Sequence, residues 1–337
     1  MSRLTLKLRL AVGLVSLLGA VVAVHAAVDP PAWAYPATPP EFQPAPDDGS
    51  KRRVPGSTRE YTYGQIEDSF NPADWYPAEH PAMPDPVGRG RRPSVRACGW
   101  CHLPNGLGHP QSASLAGLPV DYIAAQLGDF RSGNRKNSVG NTIMAAISQA
   151  MTTAEVRAAA GYYSGLKLKP WIKVVEARSV PRTRIIEGNL RLPAAPSATE
   201  ALGQRIVEVP EDPARTRLYD SHAGFVAYVP PGSLKRGEYL VTTGGATMVQ
   251  GQKVAGKTME CTQCHGRDLH GMPAGPGAPS PTPPLAGRSP TYIVRQLYDM
   301  QQGARRGANA ELMKPVVARL THADMINIAA YLASRAP

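Results

Sequence analysis

The feature that most constrains this chain is a short cysteine motif that occurs twice in its 337 residues. Each copy is Cys-x-x-Cys followed at once by histidine, at residues 98–102 and again at 261–265. Two thiols at this spacing can add to the two vinyl groups of one haem, and the next histidine then lies where it can bind the iron. The motif therefore predicts two covalently bound haem c groups. The predicted thioether cysteines and proximal iron ligands are Cys98, Cys101 and His102 for the first haem, and Cys261, Cys264 and His265 for the second.

Cysteine pairs also occur in zinc centres, redox-active dithiols and structural disulfides. A tetrahedral zinc centre could use all four cysteines of this chain. It would leave the histidine after each pair without a role, and it would not explain a methionine that repeats together with the motif. The haem interpretation accounts for all of these residues, so we prefer it.

An internal repeat relates the two halves of the chain. Residues 115–133 return as residues 285–303, with Leu-Ala-Gly at the start and Tyr-Ile-x-x-Gln-Leu in the middle of both copies. Apolar residues in each copy recur at helical spacing. Thr-x-x-Glu at 152–155 is a capping-box pattern before a last helix, and Thr-x-x-Asp at 321–324 is a weaker version of it. A repeat of this kind indicates a duplicated unit, here a small helical domain.

Each half also has a methionine at the matched position, Met144 and Met313. Most methionines fill hydrophobic cores, but the thioether is also an axial ligand of haem iron in electron-transfer proteins, where it raises the potential. Both residues lie seven positions before the apolar residue that opens the last helix, so we predict that they are the distal ligands. The alternatives, which lack an equally good counterpart in the other half, are His109, Met151, His270, Met272 and Met300.

The composition changes along the chain. Residues 27–90 contain 13 prolines, which fix φ and remove backbone donors, so long helices are not expected there. Their aromatic residues favour an extended arm over a disordered segment, with a short helix near residues 62–70. Residues 171–230 contain β-branched stretches separated by Pro, Asp and Gly, which predict a small β-rich insertion. The predicted organisation is a signal peptide at 1–26, a proline-rich arm at 27–90, a first haem domain at 91–170, the insertion at 171–230 and a second haem domain at 231–337.

The first 26 residues have the pattern of an export signal. Arg3, Lys7 and Arg9 precede an apolar run at residues 10–24, which is too short to span a membrane comfortably. Small residues follow it, where a signal peptidase would cut. We expect export to the periplasm, with an uncleaved anchor in the inner membrane as the alternative.

The chain is basic, with a formal net charge of +11, of which three positive charges belong to the signal. A basic body favours a redox partner with an acidic docking face, and a membrane surface is another contact that this charge would allow. Nucleic acid is not expected as a partner, because the chain has no basic–aromatic repeat and is expected to leave the cytoplasm.

The motifs taken together resemble class I cytochrome c. The resemblance rests on Cys-x-x-Cys-His, Leu-Ala-Gly, Tyr-Ile-x-x-Gln-Leu, the methionine, Leu-Thr and a terminal Ala-x-Tyr helix, and the duplication is similar to the two-haem type called cytochrome c-four. It covers residues 91–168 and 231–337. It implies a mainly α fold of two class I cytochrome c domains in tandem, His/Met iron and a haem edge exposed to partners. One departure is Ala113, which stands where the second half has Pro283, so we expect that His102 is oriented differently, through Pro110.

The expected function is electron transfer between redox partners such as a dehydrogenase, an oxidase or a small cytochrome. A haem subunit docked on a dehydrogenase is a second form of the same function. The alternative is a two-haem peroxidase, which needs one iron with an open or displaceable ligand, and the matched methionines argue against it. Two-haem thiosulfate dehydrogenases that use a cysteine as an axial ligand are excluded, because the thioethers use all four cysteines. No catalytic residue is assigned.

Overall fold

The computed structural model describes residues 29–44, 46–140, 142–276, 278 and 280–337. The expected signal peptide, residues 1–26, lies outside the described residues.

The α-helices are α1 (Tyr63–Ile66), α2 (Asp85–Gly88), α3 (Cys98–His102), α4 (Val120–Ser132), α5 (Ile143–Ala150), α6 (Thr153–Ser164), α7 (Pro213–Arg217), α8 (Ser233–Thr243), α9 (Thr262–His265), α10 (Pro290–Gln301), α11 (Ala308–Val317) and α12 (His322–Ser334). The strands are β1 (Ile172–Glu176), β2 (Ser179–Pro181), β3 (Thr183–Ile185), β4 (Arg191–Pro193), β5 (Thr199–Ala201), β6 (Val207–Pro210), β7 (Phe225–Val229), β8 (Thr247–Val249) and β9 (Gln252–Val254). Within those ranges, no helix combines the length and the apolar character that a membrane span needs.

The C-terminal half is a helical domain built on the packing of α8 against α12. A glycine allows the close approach of the two helices, since a Cβ on Gly237 would overlap the backbone carbonyl of Asn327. Helix α10 packs against both α11 and α12. Buried side chains from all of these helices, including Val241, Tyr298 and Ile326, form one hydrophobic core.

The first haem domain contains the corresponding helices α4, α5 and α6 around a second core. Among the described residues it has no counterpart of α8, as the proline-rich sequence before Cys98 predicts. The single turn α2 packs instead against α3 and α6, and its residue Val87 is fully buried in this core. Helix α2, which lies within the predicted arm, therefore contributes to the core of the first domain.

The last helix of each domain begins at a capping box. Thr152 accepts from the backbone of Glu155, whose carboxylate accepts in return from the backbone of Thr152. Thr321 and Asp324 make the same reciprocal pair of bonds, so the second capping box is as complete as the first. The expectation that it would be weaker is wrong, because the shorter Asp side chain also reaches the backbone.

Residues 171–230 form a small β structure with α7. Strand β7 pairs in parallel with β1 and antiparallel with β6, and these three strands cover the three β-branched stretches noted in the sequence. The antiparallel pairs β2–β5 and β3–β4 lie between β1 and β6 in the chain and have no comparable sequence signal. The arm is tied to this region, since the indole nitrogen of Trp75 donates to the carbonyl of Leu218 at 2.7 Å.

Candidate haem-binding sites

The first motif lies on the short helix α3, which spans Cys98–His102. The His102 side chain is buried, and its Nδ1 lies 2.8 Å from the carbonyl oxygen of Ala113 on the loop that follows the motif. A carbonyl can only accept, so Nδ1 carries the proton and Nε2 keeps the lone pair. Histidines that bind metals are commonly held in this way, with the ligating nitrogen fixed in direction by a bond on the other.

The second motif has the same geometry. Cys261 caps the helix α9, and the buried His265 donates from Nδ1 to the carbonyl of Pro283 at 2.8 Å. The expectation that His102 is oriented differently, through Pro110, is wrong. The acceptor is a backbone carbonyl, so replacing proline with Ala113 leaves the bond in place, and the carbonyl of Pro110 accepts instead from Arg295.

Burial controls the protonation of the motif side chains. It lowers the pKa of His102 and His265, so both rings are neutral and able to offer a lone pair to a metal. It raises the pKa of the Cys98 and Cys261 thiols to about 12 and that of Cys101 to about 11. Thiols of this kind are protonated at neutral pH, unlike those of a redox-active dithiol.

The other cysteine chemistries receive no support from the geometry. All four cysteines are free of disulfides. Within the part of the chain that the structure describes, no group of three or more His, Cys, Asp or Glu side chains could hold a metal ion, so the two cysteine pairs do not converge on one zinc centre.

The predicted distal ligands Met144 and Met313 lie on α5 and α11. Both are half-buried. Met144 packs against the same core as Cys98, and Met313 against the same core as Cys261. The structure therefore packs each methionine against the core that also contacts the first cysteine of its predicted partner motif.

The residues that the sequence offered as alternative distal ligands lie in different environments from Met144 and Met313. Met151 and Met300 are 4% and 7% exposed and belong to the hydrophobic cores. Met272 is 43% exposed, and His270 bonds the carbonyl of Ala336. His109 accepts from the backbone of Gln111, on the loop that follows His102.

A buried arginine pair joins the two domains. Arg135 and Arg305 face each other across a backbone bridge, and they occupy equivalent positions of the repeat. Each guanidinium bonds the glutamine side chains of both domains, Gln126 and Gln296, and the tyrosine hydroxyl of the opposite domain. The crossed bonds are Arg135 to Tyr292 at 3.0 Å and Arg305 to Tyr122 at 2.9 Å.

The electrostatics of this pair fit an anionic group. Neither guanidinium forms an ion pair with a carboxylate of the described chain, and the Arg305 Nε is buried without a partner. Burial alone would raise the pKa of Tyr292, but Arg135 and Arg305 hold it below its ordinary value. Haem carries carboxylate side chains, and two buried guanidinium groups that share only the nearby carboxylate of Asp129 are a donor set suited to them.

Our sequence interpretation missed both arginines. The signal was present, since each arginine follows the repeated glycine by two positions, Gly133 in one copy and Gly303 in the other. Charged residues in a repeat are usually assigned to a solvated surface, and only the packing of the two domains buries them.

The surroundings of the two motifs differ. In the first, the Trp100 ring stacks near Tyr219 of the insertion, with centroids 6.0 Å apart, and Gly99 is buried beside Pro72 of the arm. In the second, Gln263 and Cys264 are exposed. The arm and the insertion therefore cover the first motif and leave the second open.

Comparison with known proteins identifies the type of domain. The sequence model of the cytochrome c family, described as "Cytochrome c", matches residues 248–336. Cytochrome c-554(548) of Halomonas halodenitrificans is 39% identical over 75 residues, which are 22% of this chain and 83% of that protein. Cytochrome c4 of Azotobacter vinelandii is 40% identical over 72 residues, which are 21% of this chain and 34% of that protein.

A longer similarity extends over most of the chain. The thiosulfate dehydrogenase electron acceptor of Thiomonas intermedia is 27% identical over 245 residues, which are 72% of this chain and 80% of that protein. Among solved structures, a thiosulfate dehydrogenase from Marichromatium purpuratum is 26% identical, with a TM-score of 0.43. The match covers 72% of this chain but 37% of that one, so this chain spans little more than a third of it.

Proposed function

Because the chain belongs to the cytochrome c family and binds two haem c groups covalently, we propose that it carries electrons between redox proteins of the periplasm. The observation that carries this proposal is the equivalence of the two histidine sites, each with Nδ1 bonded to a backbone carbonyl at 2.8 Å. A two-haem peroxidase needs one iron that differs from the other, because its substrate must reach that iron. Equivalent sites favour a carrier.

Each residue has a defined task in this proposal. Bound haem supplies a one-electron couple. The neutral ring of each proximal histidine would offer Nε2 to the iron, and the buried Arg135 and Arg305 would serve as cationic donors for the haem carboxylates. The assigned ligands are Cys98, Cys101, His102 and Met144 in the first domain, and Cys261, Cys264, His265 and Met313 in the second.

The proposed electron donor is a dehydrogenase that oxidises an inorganic sulfur compound such as thiosulfate. Two curated relatives named as thiosulfate dehydrogenase electron acceptors match more than 70% of this chain, including sequence from both halves. The basic body of the chain suits a donor with an acidic docking face.

The second domain offers the more accessible docking edge. Cys264 is exposed, and two exposed methionines flank its motif, Met259 at 48% and Met272 at 43%. Apolar contact area of this kind, with a basic residue such as the exposed Arg267 beside it, suits a short-lived complex with an acidic protein. We place the electron entry at this edge.

Two measurements test this function. The first mixes the oxidised two-haem protein with thiosulfate dehydrogenase and thiosulfate in a stopped-flow instrument. Reduction should be fast and should slow as salt is added. Arg267→Glu should slow it further, whereas Arg184→Glu, the same charge change on the exposed part of β3, should not. Equal effects of the two variants would exclude the second domain as the docking edge.

The second measurement separates a carrier from an enzyme. The fully reduced protein is mixed with carbon monoxide and, separately, with peroxide. A carrier with both axial positions filled by protein should bind carbon monoxide slowly and should not turn over peroxide. Rapid binding at one haem, or peroxide turnover at an enzymatic rate, would make the peroxidase alternative correct.

A further inference from the structure

One buried arginine contacts the loops that hold both proximal histidines. Arg288 is 5% exposed and lies just before α10. Its Nε donates to the carbonyl of Pro284 at 2.9 Å, within its own domain. Its two terminal nitrogens cross to the first domain, where they donate to the carbonyls of Ser114 at 2.6 Å and Ala116 at 3.2 Å.

Two of these three carbonyls, those of Ser114 and Pro284, directly follow the carbonyls that accept from the histidines. His102 donates to Ala113, and Arg288 donates to the following carbonyl, that of Ser114. His265 donates to Pro283, and Arg288 donates to the following carbonyl, that of Pro284. One guanidinium therefore bonds equivalent carbonyls of the two loops, those of Ser114 and Pro284, although these residues are far apart in sequence.

The same two peptide groups are also held from their other side. The amide of Leu115, which shares a peptide with the Ser114 carbonyl, donates to Gly106 at 2.8 Å. The amide of Leu285, which shares a peptide with the Pro284 carbonyl, donates to Leu269 at 2.8 Å. With the carbonyl bound by Arg288 and the amide bound by the loop, neither peptide can rotate without breaking a hydrogen bond.

Arg288 has no arginine counterpart in the first domain. The equivalent position in the first domain is Leu118, which is buried in that domain's hydrophobic core. Arg288 forms no ion pair with a carboxylate of the described chain, and burial lowers its pKa to about 10. A buried cation whose hydrogen-bond partners are backbone carbonyls is costly, so packing alone does not account for an arginine here.

We propose that Arg288 is a positioning residue shared by the two haem sites, which fixes both histidine-bearing loops and raises the potentials of both haems together. This inference rests on the haem ligands of the proposed function. Fixing the loop fixes the carbonyl that orients each imidazole, and such outer partners tune the metal. A buried positive charge beside both histidine-bearing loops would also disfavour the ferric state, which has one more positive charge than the ferrous state.

The test compares redox titrations of the two-haem protein and three variants. Arg288→Leu places the residue of the first domain at this position, and both potentials should fall. Arg288→Lys keeps the charge, but its three donors lie on one nitrogen and cannot reproduce the separated nitrogens with which the guanidinium reaches both loops, so the amides of Leu115 and Leu285 should both lose protection from hydrogen exchange. Arg306→Leu removes the charge of an exposed arginine as a control, and solvent screening should leave both potentials close to the wild type.

The outcomes separate this inference from the haem assignment. Intact mass and the near-infrared Met–Fe(III) band report, for every variant, whether two haems with methionine ligands are present. If they are absent from the wild type, the proposed ligands are wrong. If they are present, and Arg288→Leu shifts one potential or neither, the shared role of Arg288 is wrong. If Arg288→Leu does not fold, the lysine variant decides, and unchanged protection at either leucine overturns the proposal.

Discussion

The two haem domains descend from one repeated sequence but are completed in different ways. In the second domain, α8 packs on α12 and buries Ala330 fully. In the first domain, the equivalent position is Gly161 on α6, which is exposed because no helix covers it. The turn α2 and the proline-rich arm supply the missing cover elsewhere, over α3 and its cysteines.

This difference separates the parts of the domain that the chemistry requires from the parts that can be exchanged. Both domains keep the motif, the histidine–carbonyl bond and the interface arginine. They differ in how the outer face of the last helix and the cysteine edge are covered. A binding site inside a duplicated fold therefore tolerates different scaffolds, provided that the few hydrogen bonds around the ligand are retained.

The largest expected effect tests whether the two sites are equivalent. Met144→Ala and Met313→Ala should each remove about half of the near-infrared band that reports Met–Fe(III) bonds, and each should lower the potential of its own haem. Met151→Leu is the control. It replaces a buried methionine in the core of the first domain with a side chain of similar volume. If Met144→Ala leaves the band unchanged while Met313→Ala reduces it, the distal ligand of the first haem is a different residue, and Met151 or His109 becomes the better candidate.

The next effect tests the helix that only one domain has. Gly237→Ala should destabilise the protein by ~1–3 kcal/mol, because its Cβ would overlap Asn327 where α8 meets α12. Gly161→Ala, on the uncovered face of α6, should instead stabilise it by ~0.5–1 kcal/mol, as alanine normally does in a helix. Denaturant unfolding of the two-haem protein measures both. A loss of stability in the second variant would mean that α6 is also covered.

A smaller effect tests the cover over the first motif. Tyr219→Ala removes the ring that stacks near Trp100 and should speed electron exchange between the first haem and a small soluble cytochrome. Tyr239→Ala, on the exposed face of α8, is the control and should leave the rate unchanged. The rates are measured by stopped flow with the two haems distinguished by their potentials. Equal rates in all three proteins would show that the first motif is not shielded by the insertion.

The smallest expected effect is on the pH dependence of the free energy of unfolding, through the capping-box residue Glu155. Hydrogen bonds from Arg91 lower the pKa of Glu155 to about 2, against the partial opposition of burial. A carboxyl whose folded pKa is depressed stabilises the fold above its unfolded pKa of about 4.3 and loses this contribution as the pH falls towards 2. Glu155→Gln should therefore flatten the acid dependence of unfolding in this window, by ~0.5 kcal/mol for a solvent-screened pair. An unchanged acid profile would contradict the role of this contact between Arg91 and Glu155.

The sequence predicted much of the fold because the relevant signals are local. The helix faces around Tyr122 and Tyr292 follow from spacing, and the capping boxes from four-residue patterns. The single turn α2 and the short strands β2, β3, β4 and β5 were missed for the opposite reason. Short elements with little periodicity are decided by what they pack against, as Val87 is by the core of the first domain.

The sequence by itself determined the covalent chemistry, because five consecutive residues place two thiols and an imidazole on one haem. It also determined that there are two equivalent domains, because the repeat preserves that spacing and the methionine. Only the tertiary structure decided how the domains are joined and which cysteine edge is open. Arg288 and the pair Arg135 and Arg305 make their bonds across the domain boundary, and most of the acceptors of Arg288 and of both histidines are backbone carbonyls. A carbonyl is the same in every residue, so such contacts leave no pattern in the sequence and appear only when the chain has folded.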